Sequence, residues 1–190
     1  QRQMCIRDRK GVVAMMRNLQ KIRLTVLSAV LGAFVVMSEK SSEAAVVVLE
    51  TSKGQVKIEM KPELAPNHVA RITELVKQGF YDGIIFHRVI PGFMAQTGDP
   101  TGTGTGGSGK NLNAEFTDYE YVEGTVGMAR AMSPNSADSQ FFICFEGCGH
   151  LTGQYTVWGQ VTDGMDVVRK INEGQPPAEP DQIVSARMKD

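Results

Sequence analysis

The sequence has three cysteines in 190 residues, too few for a disulfide framework, and no CxxC pair or Cys/His cluster with the spacing of a zinc site. No metal and no cofactor is expected. It lacks a basic stripe, so nothing supplies the phosphate-neutralising footprint of a nucleic-acid binder. Its longest apolar run, residues 24–37, has 14 residues, fewer than the roughly 20 that a membrane-spanning helix needs. No internal repeat is visible. What is present, 42% apolar residues in a chain of this length, suits one domain with an ordinary core plus a short extra segment.

The net charge of -1 conceals an asymmetry: residues 1–44 hold 8 Lys and Arg against 3 Asp and Glu, whereas residues 45–190 hold 12 against 18. From Met16 the chain reads as a secretory signal, with Arg17, Lys21 and Arg23 ahead of the apolar run LTVLSAVLGAFVVM. Small residues follow, and cleavage is expected after Ala44 or Ala45. Export, to a bacterial periplasm, is the expected destination, with membrane attachment only if the segment stays uncleaved. Residues 1–15 (QRQMCIRDRKGVVAM) fit neither a signal nor a domain; MCIRDR resembles translated adapter sequence, so this leader is set apart as non-native. Residues 16–44 are then the signal and residues 45–190 the folded domain.

Within that domain, residues 46–51 are apolar and β-branched and residues 55–60 alternate, with Ser52-Lys53-Gly54 between them, which reads as a hairpin. Residues 65–79 switch to helical spacing through Val69, Ile72, Leu75 and Val76, opened by Pro66-Asn67 and closed by Gly79. Short β-prone runs follow near 84–90, 93–98, 124–130, 139–145 and 155–162, then a second helical stretch at 165–172 and a last strand at 183–188. Many short strands with few helices predict a mainly β barrel or sandwich. Cys144 ends the apolar run SQFFIC and reads as a buried free thiol rather than a disulfide partner. Cys148, in a Gly-flanked stretch, reads as the more exposed of the two.

The Gly-rich segment at 104–111 comes within one residue of a phosphate-binding P-loop, but Asn111 replaces the hydroxyl that would hold magnesium. The following LNAEFTDYEY has no helical period to supply amides and a dipole. The segment is read as a surface loop, and no nucleotide is expected.

Residues 84–98 (IIFHRVIPGFMAQTG) embed one cation, Arg88, among large apolar groups. With a period of two, Phe86, Arg88 and Ile90 share a face opposite His87 and Val89, and Met94 and Gln96 form a further alternating pair. Such an arginine either buries its stem beneath a solvated head or is held at a site. His87, directed away from the Arg88 face, is read as structural, as is His68 on the first helix.

FHRVIPGFMAQTGD closely resembles the signature of the cyclophilin-type peptidyl-prolyl cis/trans isomerases, and SQFFIC and LTGQYTVWG follow in the family's order. The resemblance runs from about Val46 to Lys189. It implies a cyclophilin-like fold: a closed eight-stranded antiparallel barrel capped by two α-helices. It also implies an isomerase acting on Xaa-Pro bonds of unfolded or folding polypeptides; nothing in the sequence demands more than a monomer. By position, Arg88 resembles the catalytic arginine, and Phe93, Met94, Phe142 and Leu151 the walls of the proline pocket. Gln96 and Gln140 resemble the polar groups beside the prolyl bond, Ala129 and Arg130 lie along the peptide groove, and Thr105 and Gly106 flank a neighbouring pocket. His150 stands where many eukaryotic members have a tryptophan that helps to bind cyclosporin, so weak cyclosporin binding is expected. Tyr155 replaces a common histidine and Arg130 a common asparagine, as in bacterial members. The rival readings are a proline-peptide-binding chaperone module with little turnover, a membrane-tethered scaffold, and a nucleotide enzyme built on the Gly loop.

Overall fold

The structure, a computed structural model, describes residues 45–189; the expected leader and signal segment lie outside the described residues. Strands β1 (Val46–Thr51) and β2 (Gly54–Met60) form the expected hairpin, in register from Val46 opposite Glu59 to Thr51 opposite Gly54. Their alternation is the reason they sit as they do. Val47 and Leu49 of β1 and Val56, Ile58 and Met60 of β2 all enter one core.

Helix α1 (Pro66–Lys77) lays His68, Val69, Ile72, Leu75 and Val76 against that core. Proline in its first turn costs no intrahelical bond there. Its end is a Schellman motif: Gly79, at φ +68°, donates to Val76 O, and Phe80 donates to Leu75 O. The start has no side-chain cap of its own, because the Ala65 methyl group offers no acceptor. Glu115 does that work from a distant loop, accepting from the Asn67 and His68 amides at 3.1 and 3.0 Å and from His68 Nδ1 at 2.6 Å. His68 is thus structural, as its place on the helix suggested.

After α1 come β3 (Arg88–Ile90), β4 (Met94–Thr97), β5 (Thr125–Met128), β6 (Phe141–Cys144), β7 (Val157–Asp163), helix α2 (Met165–Val168) and β8 (Ile183–Met188). All pairings between the strands are antiparallel, in the spatial order β3-β4-β6-β5-β7-β2-β1-β8. The fold is therefore the expected mainly β, two-helix architecture, with closure less regular than a full ladder. Its edges β3 and β8 meet through the isolated pair Ile85–Gln182 and through hydrogen bonds such as Phe86 N to Asp181 O. Helix α2 is shorter than the predicted 165–172: Ile171 is buried as the period suggests, but the helix stops at Val168 and the chain continues as a turn.

The aromatic centre of the core is Phe141, edge-on to Trp158 at 5.4 Å and to Tyr81 at 5.5 Å between centroids. Phe86 joins this core together with Val89, which corrects the expectation that it shares a face with Arg88. The alternation does not reach that far back, because β3 begins only at Arg88. His87 is buried beneath the Gly-rich loop, with neither ring nitrogen bonded to a protein group, and burial lowers its pKa.

Candidate active site

Register builds the site. Arg88 on β3 stands opposite Gln96 on β4, Gln96 opposite Phe142 on β6, and Phe142 opposite Gly127 on β5. One step along, Val89, Ala95, Ile143 and Val126 form a parallel row whose side chains enter the main core. Because strand residues alternate, Arg88, Gln96 and Phe142 must lie on the other face. A second apolar cluster sits there, comprising Met94, Tyr121, Phe142, Cys144, Cys148, Leu151 and Val157.

Gly127 allows this row to close. A Cβ at that position would sit 2.7 Å from Phe142 Cζ and would collide with the Tyr121 hydroxyl. With hydrogen there, Tyr121 and Phe142 stack at 5.9 Å and 20°. Burial pushes the Tyr121 phenol pKa up, so the ring stays neutral beneath the pocket.

Above that floor lies a cavity of about 360 Å³ that gathers Arg88, Phe93, Met94, Gln96, Ala129, Arg130, Phe142, His150, Leu151 and Tyr155, all of them singled out from the sequence. Thr105, Gly106 and Gln140 line a second cavity of about 370 Å³ that shares Gln96, Ala129 and Arg130 with the first. Gln154 also lines the first cavity and was missed, although it lies inside the quoted LTGQYTVWG segment. Exposed His150 stacks on Phe93 at 5.4 Å and 27°.

Arg88 is steered by neutral partners. Its Nε donates to Gln175 Oε1 at 3.1 Å and its Nη1 to Gln96 Oε1 at 3.3 Å, leaving Nη2 without a partner among the described residues. Gln175 was also missed, since the Pro-rich link that carries it offers no motif. The relay continues as Gln96 Nε2 donates to Gln140 Oε1, and Gln140 Nε2 to the carbonyls of Gly104 and Gly106. One chain of amides therefore ties the guanidinium to the Gly-rich loop.

Most of that loop's own amides are already occupied. Asp99 accepts from the N–H groups of Thr101, Gly104 and Gly106, and Asp138 from those of Ser108, Gly109 and Lys110. Burial opposes ionisation of Asp99, but its hydrogen bonds from Thr101, Gly106 and Gly104 prevail and hold its pKa at about 2. The carboxylates fill the places a phosphate would take, which is a physical reason for the segment to be a loop scaffold rather than a nucleotide site.

The cysteines depart from expectation. Cys144 and Cys148 are joined as a disulfide with Cα atoms 6.1 Å apart, and Cys148 is fully buried rather than exposed. The intervening turn folds back because Phe145 N donates to Phe93 O and Gly147 N to Gly92 O, which returns Cys148 to the end of β6. The bridge underlies the short 3₁₀ turn Gly149–Leu151 that carries His150 and Leu151 to the cavity.

Among the described residues, no Ser, Thr, Cys, Lys, Asp or Glu lines the Arg88 cavity. The barrel thus presents a cavity with apolar walls and the Arg88 guanidinium at its side, next to a second cavity that shares Gln96, Ala129 and Arg130 with it. The family model for "Cyclophilin type peptidyl-prolyl cis-trans isomerase/CLD" matches residues 46–188. A probable peptidyl-prolyl cis-trans isomerase of Brucella suis is 50% identical over 157 residues, covering 74% of this chain and 80% of that protein. A peptidyl-prolyl cis-trans isomerase of Synechococcus elongatus is 45% identical over 143 residues, covering 74% and 94%. Among solved structures, a Cryptosporidium parvum cyclophilin in the presence of the dipeptide Ala-Pro matches with TM-score 0.71 at 30% identity, covering 76% of this chain and 99% of that one. The chain belongs to the cyclophilin-type peptidyl-prolyl cis-trans isomerase family.

Proposed function

We propose that this protein accelerates rotation about Xaa-Pro bonds of exported, folding polypeptides by stabilising the twisted amide with Arg88. The observation that carries the reading is the open Nη2 of Arg88 beside the apolar hollow. A planar prolyl amide resists rotation with a barrier of about 18–20 kcal/mol, because resonance makes its C–N bond partly double. Twisting destroys that conjugation and leaves the nitrogen pyramidal and basic. A guanidinium donating to it binds the twisted form more strongly than the planar one, which is the condition for catalysis. Phe93, Met94, Phe142 and Leu151 hold the ring while Gln96 and the Ala129–Arg130 backbone fix the flanking chain. A barrier lowered by about 7 kcal/mol gives roughly 10⁵-fold acceleration without nucleophile, metal or cofactor.

In a protease-coupled assay on an Ala-Pro peptide, Arg88→Ala is expected to lower kcat/KM by roughly 10²-fold or more while leaving the circular dichroism spectrum intact. Turnover at the wild-type rate would remove Arg88 from the mechanism. Absence of turnover in the wild type would favour the chaperone-module reading. The placement outside the cytoplasm, with the signal removed, is supported by the residue 17–45 pattern, and mass spectrometry of the periplasmic fraction reads the mature start directly. Cyclosporin should bind weakly, since His150 offers a smaller ring than tryptophan; a tight complex in calorimetric titration would contradict this.

A further inference from the structure

Five arginines lie between residues 45 and 189. Arg71, Arg169 and Arg187 each face a carboxylate, of Glu74, Glu123 and Asp82 respectively. Arg88 and Arg130 have none among the described residues, and both line the Arg88 cavity, which contains no Asp or Glu. The second cavity holds one carboxylate, Asp138, already engaged by three loop amides and by the Ser108 hydroxyl. A domain with 18 acidic and 12 basic residues thus keeps two uncompensated guanidiniums in its groove.

Arg130 is a fixed cation. Its guanidinium carbon lies 4.5 Å from the Tyr155 ring centroid and 5.8 Å from that of Phe116. Nε and Nη2 donate to Gln154 O at 3.3 and 3.1 Å, and Nη1 donates to the carbonyls of Ala131 and Met132 at 3.0 and 3.3 Å. These neutral acceptors orient the fork without cancelling its charge, and one Nη2 hydrogen is left over. Arg130 also lines both cavities, so it occupies the ridge between them. A peptide with its proline in the first cavity and its neighbouring residues in the second must cross that ridge. Covering an uncompensated charge is unfavourable unless the ligand brings an acceptor.

We propose that Arg130 makes the groove selective for prolyl bonds flanked, on the side that enters the second cavity, by an acidic side chain whose carboxylate sits against the guanidinium. The inference rests on the isomerase reading of the groove and adds its substrate class. Because the fork is held in place before binding, the carboxylate gains Coulomb energy without ordering a mobile partner. The site is open to solvent, so the discrimination is severalfold rather than absolute.

The test is NMR exchange spectroscopy, which needs no coupling protease, on short peptides with Glu, Gln or Lys at one or two positions before proline or one position after it. At one flank, kcat/KM is expected to rank Glu above Gln above Lys, with about three- to fivefold at each step. The ranking should shrink between about 20 and about 500 mM salt. In Arg130→Gln the Glu-to-Gln ratio is expected to fall to about one, and in Arg130→Lys to stay above one. Ratios near one at every position in the wild type would overturn the proposal, as would a Glu preference that survives in Arg130→Gln, which would belong to Arg88. No turnover of the Gln peptide by the wild type would overturn the isomerase reading itself, and this one with it.

Discussion

At the residue scale, the site depends on a hydrogen atom at Gly127 as much as on the side chains around it. Adding a methyl group there forces Phe142, the floor of the cavity, or Tyr121, stacked beneath it, to move. Gly127→Ala is expected to destabilise the fold by about 1–3 kcal/mol through overpacking, read from the midpoint of urea denaturation. It should also raise KM for prolyl peptides. An unchanged denaturation midpoint with unchanged KM would mean the row tolerates a Cβ. Arg88 and Met94 were legible from strand alternation as well as from motif resemblance, whereas Phe93, Phe142 and Leu151 rested on the resemblance alone; the structure gathers all five around one cavity. The Cys144–Cys148 bridge was not, since whether two cysteines four residues apart meet depends on the turn between them, which hydrogen bonds from the Gly92–Phe93 carbonyls decide.

At the element scale, period identified the hairpin and helix α1 closely, because both bury one face and expose the other. Helix α2 was overestimated because Ile171 stays buried in a turn after helical hydrogen bonding has ended. The cap of α1 was invisible for another reason: Glu115 lies some 48 residues from Asn67, and no local pattern announces a long-range acceptor. Burial works against the Glu115 charge, but bonds from the His68 ring and from the His68 and Asn67 amides outweigh it and hold the pKa below the usual value. Glu115→Ala leaves those amides unpaired, and its expected cost is about 1–2 kcal/mol. Hydrogen exchange in the first turn of α1 should speed up in this variant. Exchange no faster than wild type would show that the loop does not cap the helix.

At the scale of the whole molecule, the same loop chemistry sets the response to acid. Asp99, held at about 2 against an ordinary 3.8, stabilises the fold fully above about pH 4, and that stability is lost as pH falls toward 2. The contribution is roughly 2 kcal/mol. His87, buried with its pKa lowered, acts in the same direction: below about pH 6.5 the unfolded chain gains a proton that the folded one resists. Stability should therefore be flat between about pH 7 and 9, decline gently below 6.5 and fall steeply below 4, with a further loss above about pH 10 where the buried Tyr121 phenol resists ionisation. His87→Gln should remove the gentle phase; stability rising between pH 6.5 and 5 in the wild type would contradict this. The frame so maintained joins the Gly-rich loop to Arg88 through Gln140 and Gln96, and in the proposed mechanism it holds the guanidinium ready for the twisted amide. The most direct measurement pairs two NMR readouts on one Ala-Pro peptide, affinity by titration and cis/trans exchange rate, for wild type and Arg88→Ala. The account predicts affinities within a few-fold of each other and exchange acceleration almost wholly lost in the variant. An equal loss of affinity and rate would make Arg88 a ground-state binder and contradict it.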